Sequence, residues 1–220
     1  MPTACRFLIT FAVIEECRPF HKAVSAPDNV AVLVTGIGPR NAEKAIRTAF
    51  AARQPDVVLT CGFAGGLNPE LPTGTVVFSA DSESGLSPAL LSAGARAVKF
   101  HCADRVVATA KEKKALRQST DADAVEMESG IIRAFCREQK IPSATVRVIS
   151  DSAKEDLPLD FNRLLDAEQN LRYGRLVLML LASPGKIGAL LGFQKQTKAA
   201  ADGLAETLKK VISAQAQVRS

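Results

Sequence analysis

The chain has 220 residues, 47% apolar and 23% charged, which suits one globular domain with a sizeable core. Its net charge of +5 and pI near 9.0 would fit a nucleic acid or an anionic surface, but Trp is absent, aromatic residues make up 5%, and the basic residues are dispersed; this argues against nucleic-acid recognition. Five scattered cysteines, Cys5, Cys17, Cys61, Cys102 and Cys136, form no Cys-x-x-Cys and no His pairing at metal spacing, so neither a disulfide frame nor a metal site is expected and the thiols read as reduced.

Pro2 to Thr10 contains Arg6 but no signal-peptide pattern, which points to a cytoplasmic protein. Residues 5 to 13 predict a first strand, Glu15 to Ala23 a short helix, and Val30 to Thr35 a second strand. Between Arg40 and Arg53, Ala42, Ala45, Ile46, Ala49 and Phe50 recur at helical spacing, with Pro39 suited to the first turn. Asp56 to Cys61 reads as a buried strand, Gly74 to Ala80 as another after the turn Pro72-Thr73-Gly74, and Val98 to Cys102 as a fifth. Thr109 and Glu112 have capping-box spacing for a helix through Arg117, whose Lys111, Lys113 and Lys114 read as a solvated face. This alternation predicts a single-domain, three-layer α/β/α fold with a twisted, mostly parallel central sheet. Residues 1–170 form the expected domain and 171–220 a helical extension, packed on it or on a partner chain.

The densest chemistry lies in Ala124-Val125-Glu126-Met127-Glu128-Ser129-Gly130 and Val146-Arg147-Val148-Ile149-Ser150-Asp151. Gly130 to Gln139 predicts a helix with Ile131, Ile132, Ala134, Phe135 and Cys136 as its apolar residues. Ile141-Pro142 breaks it, and Ser143 to Ile149 predicts a buried strand. A helix packed antiparallel to the following strand returns the chain to the same edge, so Glu128 and Asp151 can face one pocket beyond the strand ends.

These segments resemble the purine nucleoside phosphorylase and uridine phosphorylase superfamily, especially its methylthioadenosine/S-adenosylhomocysteine nucleosidase branch. Val34-Thr35-Gly36-Ile37-Gly38 is similar to the family's Gly-rich turn, and Pro55 to Leu67 to its strand running into a glycine loop that holds Phe63, Ala64 and Gly65. The resemblance implies cleavage of the N-ribosidic bond of a nucleoside through an oxocarbenium-like transition state, with no cofactor beyond phosphate as an optional co-substrate. It implies Asp151, beside Ser150, as the acid that protonates the purine; a partly desolvated carboxyl group suits that task. It implies Glu128 on the ribose hydroxyls, Met127 against the sugar, and Glu126 in the same motif. Glu15-Glu16 is similar to paired glutamates of which the second orients the attacking water; otherwise the pair is a solvated carboxylate cluster at a helix N-terminus. A homo-oligomer also follows from the resemblance.

Three departures bear on the substrate. Thr60 and Phe63 stand near positions where phosphorolytic relatives carry arginine and serine, which favours hydrolysis, with Arg18 and Arg40 as the remaining candidates for phosphate. Ala103-Asp104-Arg105-Val106 stands in place of an aromatic residue near the base-stacking position. The region between Val77 and Cys102 is short, so the 5′ end of the sugar is less covered. That short region, the run Val125 to Gly130 and the tail together most resemble the hopanoid-associated phosphorylase branch, linked to removing adenine from an adenosyl hopane. The apolar runs Leu176 to Leu181 and Ile187 to Phe193 have basic flanks, and 172–198 therefore reads either as a contact to lipid or a lipidic substrate or as a packed helix. Lys198 to Val218 predicts a terminal amphipathic helix. The alternative to an enzyme is a non-catalytic nucleoside-binding or membrane-associated scaffold with this fold.

Overall fold

Alternation along two neighbouring strands sets the layers. In β1 (Phe7–Phe11), Phe7, Ile9 and Phe11 pack to one side while Leu8 packs to the other; in β3 (Val57–Gly66), Val57, Leu59 and Cys61 follow the first set and Val58 the second. The computed structural model describes residues 6–24, 29–164, 166, 185 and 187–218. Besides these two strands, the sheet contains β2 (Val30–Val34), β4 (Val76–Ala80), β5 (Arg96–Ala97), β6 (Phe100–Cys102), β7 (Ala124–Glu126) and β8 (Ser143–Asp151). Its main path runs β2-β1-β3-β8-β4-β5, and β7 joins β3 to β6. The pairs β1/β2, β1/β3, β3/β8, β4/β5 and β6/β7 are parallel; β4/β8 and β3/β7 are antiparallel. The result is the expected mostly parallel sheet.

One face is covered by α1 (Ile14–Ala23), α3 (Ser87–Ser92) and α6 (Ile187–Val218), which contribute Cys17, Phe20, Leu90, Leu204, Leu208 and Val211 to the larger core. On the other face, α2 (Pro39–Ala52) and α5 (Ser129–Glu138) bring Ala42, Ile46, Ile132, Phe135 and Cys136 against Leu8 and Val58. Burying that many large apolar side chains at ~1.5–3 kcal/mol each is the main favourable contribution to folding. The remaining helix, α4 (Ala110–Thr120), has the predicted capping box: Thr109 Oγ1 accepts from Glu112 N, and Glu112 accepts from Thr109 N.

Several elements differ from expectation. The strand expected over Asp56–Cys61 extends to Gly66, because its glycine run pairs with β7 and β8 instead of looping away. The short strand β7 precedes the carboxylate-bearing turn; three residues are too few for a periodicity to show. The helix expected from Lys198 begins at Ile187, so the described apolar run Ile187 to Phe193 forms its first turns. Leu176 to Leu181, with most of the segment expected to meet lipid, lies outside the described residues. Among the described residues no helix is long and apolar enough to cross a membrane.

Candidate active site

The carboxyl ends of β1, β3 and β8 lie side by side, and a cavity of about 330 Å³ opens above them. A bulge shapes its floor. Ala64 pairs with Ile149 but Gly65 pairs with Asp151, so Ser150 is the extra residue on β8. Ser150 Oγ donates to Asp151 Oδ1 at 2.6 Å and approaches the Ala64 carbonyl at 3.3 Å, which fixes the acid's side chain. Gly65 lies beneath it: a Cβ there would sit 3.2 Å from Val125 and 3.5 Å from Asp151 Oδ2.

Eleven of the twelve predicted site residues line this cavity: Glu16, Phe63, Ala64, Gly65, Arg105, Val106, Glu126, Met127, Glu128, Ser150 and Asp151. Gly36 does not, correcting its assignment as a substrate contact. Its φ of +85° turns the chain, so that the next residue, Ile37, reaches the cavity wall and Gly38 N–H donates to Glu128 Oε1 at 2.9 Å.

Two of the three glutamates share one cation by direct ion pairing. Arg147, 2% exposed, lies 2.7 Å from Glu126 Oε2 and 3.2 Å from Glu128 Oε2. Glu126 also accepts from Glu128 N, Ser129 N and Ser129 Oγ, so its oxygens are occupied by protein donors while it caps the start of α5. Burial acts to raise the Glu126 carboxyl, but Arg147 and Ser129 outweigh it and hold the group below the usual carboxylate range. Burial raises Glu128, with Arg147 opposing and Glu126 reinforcing.

Glu16 completes this group. Its Oε2 accepts from Ala12 N at 2.9 Å and Val13 N at 3.2 Å, and its Oε1 from Phe63 N at 2.8 Å. It is 5% exposed, not one of a solvated pair, and burial pushes it up to about 7 against the pull of Arg147. The chain makes room for it at Gly62, whose φ is +139°; a Cβ there would lie 2.6 Å from Glu16 Oε1 and 2.7 Å from Arg147 Nη1.

The remaining wall is apolar, formed by Val106, Val107, Leu157, Phe161 and Phe193. Phe161 and Phe193, with ring centroids 6.0 Å apart, give the cavity an aromatic surface that residues 103–106 lack. Arg105 is tied to Glu112 at 2.8 Å. The phosphate candidates Arg18 and Arg40 are exposed and do not line the cavity. Thr60, where phosphorolytic relatives carry arginine, is buried with its hydroxyl 3.2 Å from Thr145 Oγ1.

Arg147, Lys113, Leu157, Phe161, Phe193 and Thr197 escaped the sequence reading. Arg147 had a signal: a lone charge between Val146 and Val148 in a buried strand requires a partner. Lys113 had none, and its placement on a solvated face is overturned. It is fully buried, donates to the carbonyls of Ser152 at 2.8 Å and Glu155 at 2.7 Å, and lies 2.5 Å from Asp151 Oδ2.

A three-layer α/β/α fold with buried acids converging at its strand ends is the architecture of a small-molecule enzyme site. The chain belongs to the phosphorylase superfamily, whose sequence profile matches residues 13–93 and 89–173. It is 26% identical over 180 residues to a 5′-methylthioadenosine/S-adenosylhomocysteine nucleosidase of Anoxybacillus flavithermus, covering 66% of this chain and 78% of that one. Solved structures share the fold. The futalosine hydrolase of Helicobacter pylori has a TM-score of 0.71 at 16% identity, covering 96% of this chain and 98% of that one. The 5′-methylthioadenosine/S-adenosylhomocysteine nucleosidase of Helicobacter pylori, bound to butyl-thio-DADMe-Immucillin-A, has 0.71 at 17%, covering 96% and 99%.

Proposed function

We propose that the protein hydrolyses the N-glycosidic bond of a purine nucleoside. The observation that carries this is the convergence of Glu16, Glu128 and Asp151 on one cavity that also has an apolar wall of Val106, Val107, Leu157, Phe161 and Phe193. Asp151 delivers a proton to the departing base, Glu128 holds the ribose hydroxyls, and Glu16 orients the attacking water and takes its proton. The nearby carboxylates favour the positive charge that develops on the sugar as the bond breaks. Kinship with a nucleosidase supports the reaction class.

Water is preferred to phosphate as nucleophile because the described cations lining the cavity are engaged, Arg147 by two glutamates and Arg105 by Glu112. The finer reading is an adenine nucleoside with a large apolar 5′ substituent, consistent with the wall of Val106, Leu157, Phe161 and Phe193 and with a role in hopanoid side-chain maturation. A cytoplasmic homo-oligomer belongs to the same proposal, and light scattering on the purified protein checks its assembly.

The test is adenine release from a panel of 5′-substituted adenosines, lipid-linked ones included, with and without phosphate. Release without phosphate is expected, and Asp151→Asn should reduce it at least about a hundredfold, as loss of general acid catalysis does. An undiminished rate in that variant refutes the assignment of Asp151. Strict phosphate dependence replaces hydrolysis by phosphorolysis, and tight calorimetric binding without product favours a non-catalytic scaffold.

A further inference from the structure

A lysine with no exposed surface is rare, because removing an ammonium from water costs several kcal/mol unless the group is fully paired. Lys113 meets that condition with three oxygens. Two are the carbonyls of Ser152 and Glu155 in the turn after β8, which receive its directed hydrogen bonds; the third is Asp151 Oδ2 at 2.5 Å. Asp151 Oδ2 accepts no hydrogen bond of good geometry from the described residues, and Oδ1 is held by Ser150. One oxygen is thus fixed, and the other lies beside a cation with a lone pair left over.

The remaining charged groups of the cavity are placed elsewhere. Arg147, from β8, and Arg105, from the segment before α4, pair with Glu126, Glu128 and Glu112. Glu16 from α1 is held by backbone amides of Ala12, Val13 and Phe63. Among the described residues, Lys113 is the cation within ion-pair distance of Asp151.

We propose that Lys113 is a positioning residue for proton donation: it fixes Asp151 against the cavity floor and compensates the charge left on that carboxylate after the proton departs. This rests on the reading of Asp151 as the acid. As the C1′–N bond breaks, its electron pair goes to the base, which takes the proton from the Asp151 carboxyl group. The water oxygen bonds to C1′ and passes a proton to Glu16. Lys113 keeps its protons throughout. Without it, the reaction would leave an uncompensated carboxylate in a site that is 5% exposed.

The same geometry places the turn at 152–155. Anchoring two of its carbonyls also steadies the segment that leads to Leu157 and Phe161 in the cavity wall. A purely structural lysine would perform that task alone, so the test must separate charge from anchoring. Lys113→Met removes both, Lys113→Gln removes the charge and keeps amide donors, and Lys113→Arg keeps the charge.

Carboxyl ¹³C NMR, with the Asp151 signal assigned by its loss in Asp151→Asn, gives the pH at which the acid gives up its proton. Loss of the ammonium should move that reading in both Met and Gln variants, and much less in Arg. The pH profile for adenosine-type substrates should move with it. The profile for 4-nitrophenyl β-D-ribofuranoside should not, since its leaving group departs without a proton. Comparing the two substrates in one preparation cancels any loss of folded enzyme, and Lys113→Gln replaces Lys113→Met if the latter does not fold. A titration and profile unchanged in Lys113→Gln, while Asp151→Asn selectively loses the nucleoside reaction, confine Lys113 to anchoring the turn and overturn the proposal. If Asp151→Asn shows no such selectivity, the acid assignment itself fails.

Discussion

Around Arg147, Glu126 and Glu128 pair with one guanidinium while Glu16 lies in its field; around Asp151, a single carboxylate has an ammonium of its own. The first group carries more acid than base: burial and the neighbouring Glu128 push Glu16 upward, and burial and the neighbouring Glu126 push Glu128 upward. Such a region favours a cation placed above it. The second is a matched pair, which favours a carboxylate that has just lost its proton. A sugar that becomes positive and a base that leaves after protonation need those two environments respectively.

Removing the shared cation should have the largest effect on the first group. Arg147→Met should destabilise the fold by about 3–5 kcal/mol, the usual effect of leaving buried charges unpaired, measured by urea unfolding at pH 7. A loss below about 1 kcal/mol would mean that the glutamates do not depend on Arg147.

Glu16 makes the first group sensitive to pH. A carboxyl group raised from 4.5 to about 7 resists ionising in the folded protein, so its contribution to stability is full below pH 4.5 and is lost as pH rises toward 7. Over that window wild type should lose up to about 3 kcal/mol relative to Glu16→Gln, seen in paired unfolding curves at pH 4.5 and 8. Activity should run the other way, rising as Glu16 ionises near pH 7, and Glu16→Gln should cost at least about a hundredfold in rate.

Smaller effects test the supports. Gly62→Ala introduces a side chain at φ +139° and within 2.7 Å of both Glu16 and Arg147, so about 1–3 kcal/mol of stability should be lost together with activity. Thr109→Ala removes the cap of the helix that carries Lys113 and should cost about 1 kcal/mol, with little change in the pH profile if Lys113 stays anchored by its carbonyls.

Much of this was legible in the chain. The helical spacing of Ala42, Ile46 and Ala49, the Thr109/Glu112 box and the break at Ile141-Pro142 are local signals, and each corresponds to an observed boundary or face. Strand β7 was not legible, because three residues hold no period and its reason for existing is pairing with Gly65 and Gly66. Thr60 lies in the motif with Phe63 yet meets Thr145 on the paired strand β8 instead of lining the cavity, a pairing that only the sheet register sets.

Periodicity and turn signals, which are properties of short segments, were enough for the α/β/α layers and the glycine-bearing strand ends, while Glu16, Glu128 and Asp151 stood out through the motifs that resemble the family's. Tertiary structure alone decided which charges balance which. Arg147 and Lys113 are ordinary basic residues in the chain, and they become the partners of Glu126, Glu128 and Asp151 because burial excludes water and leaves each ion only the neighbours that the fold supplies.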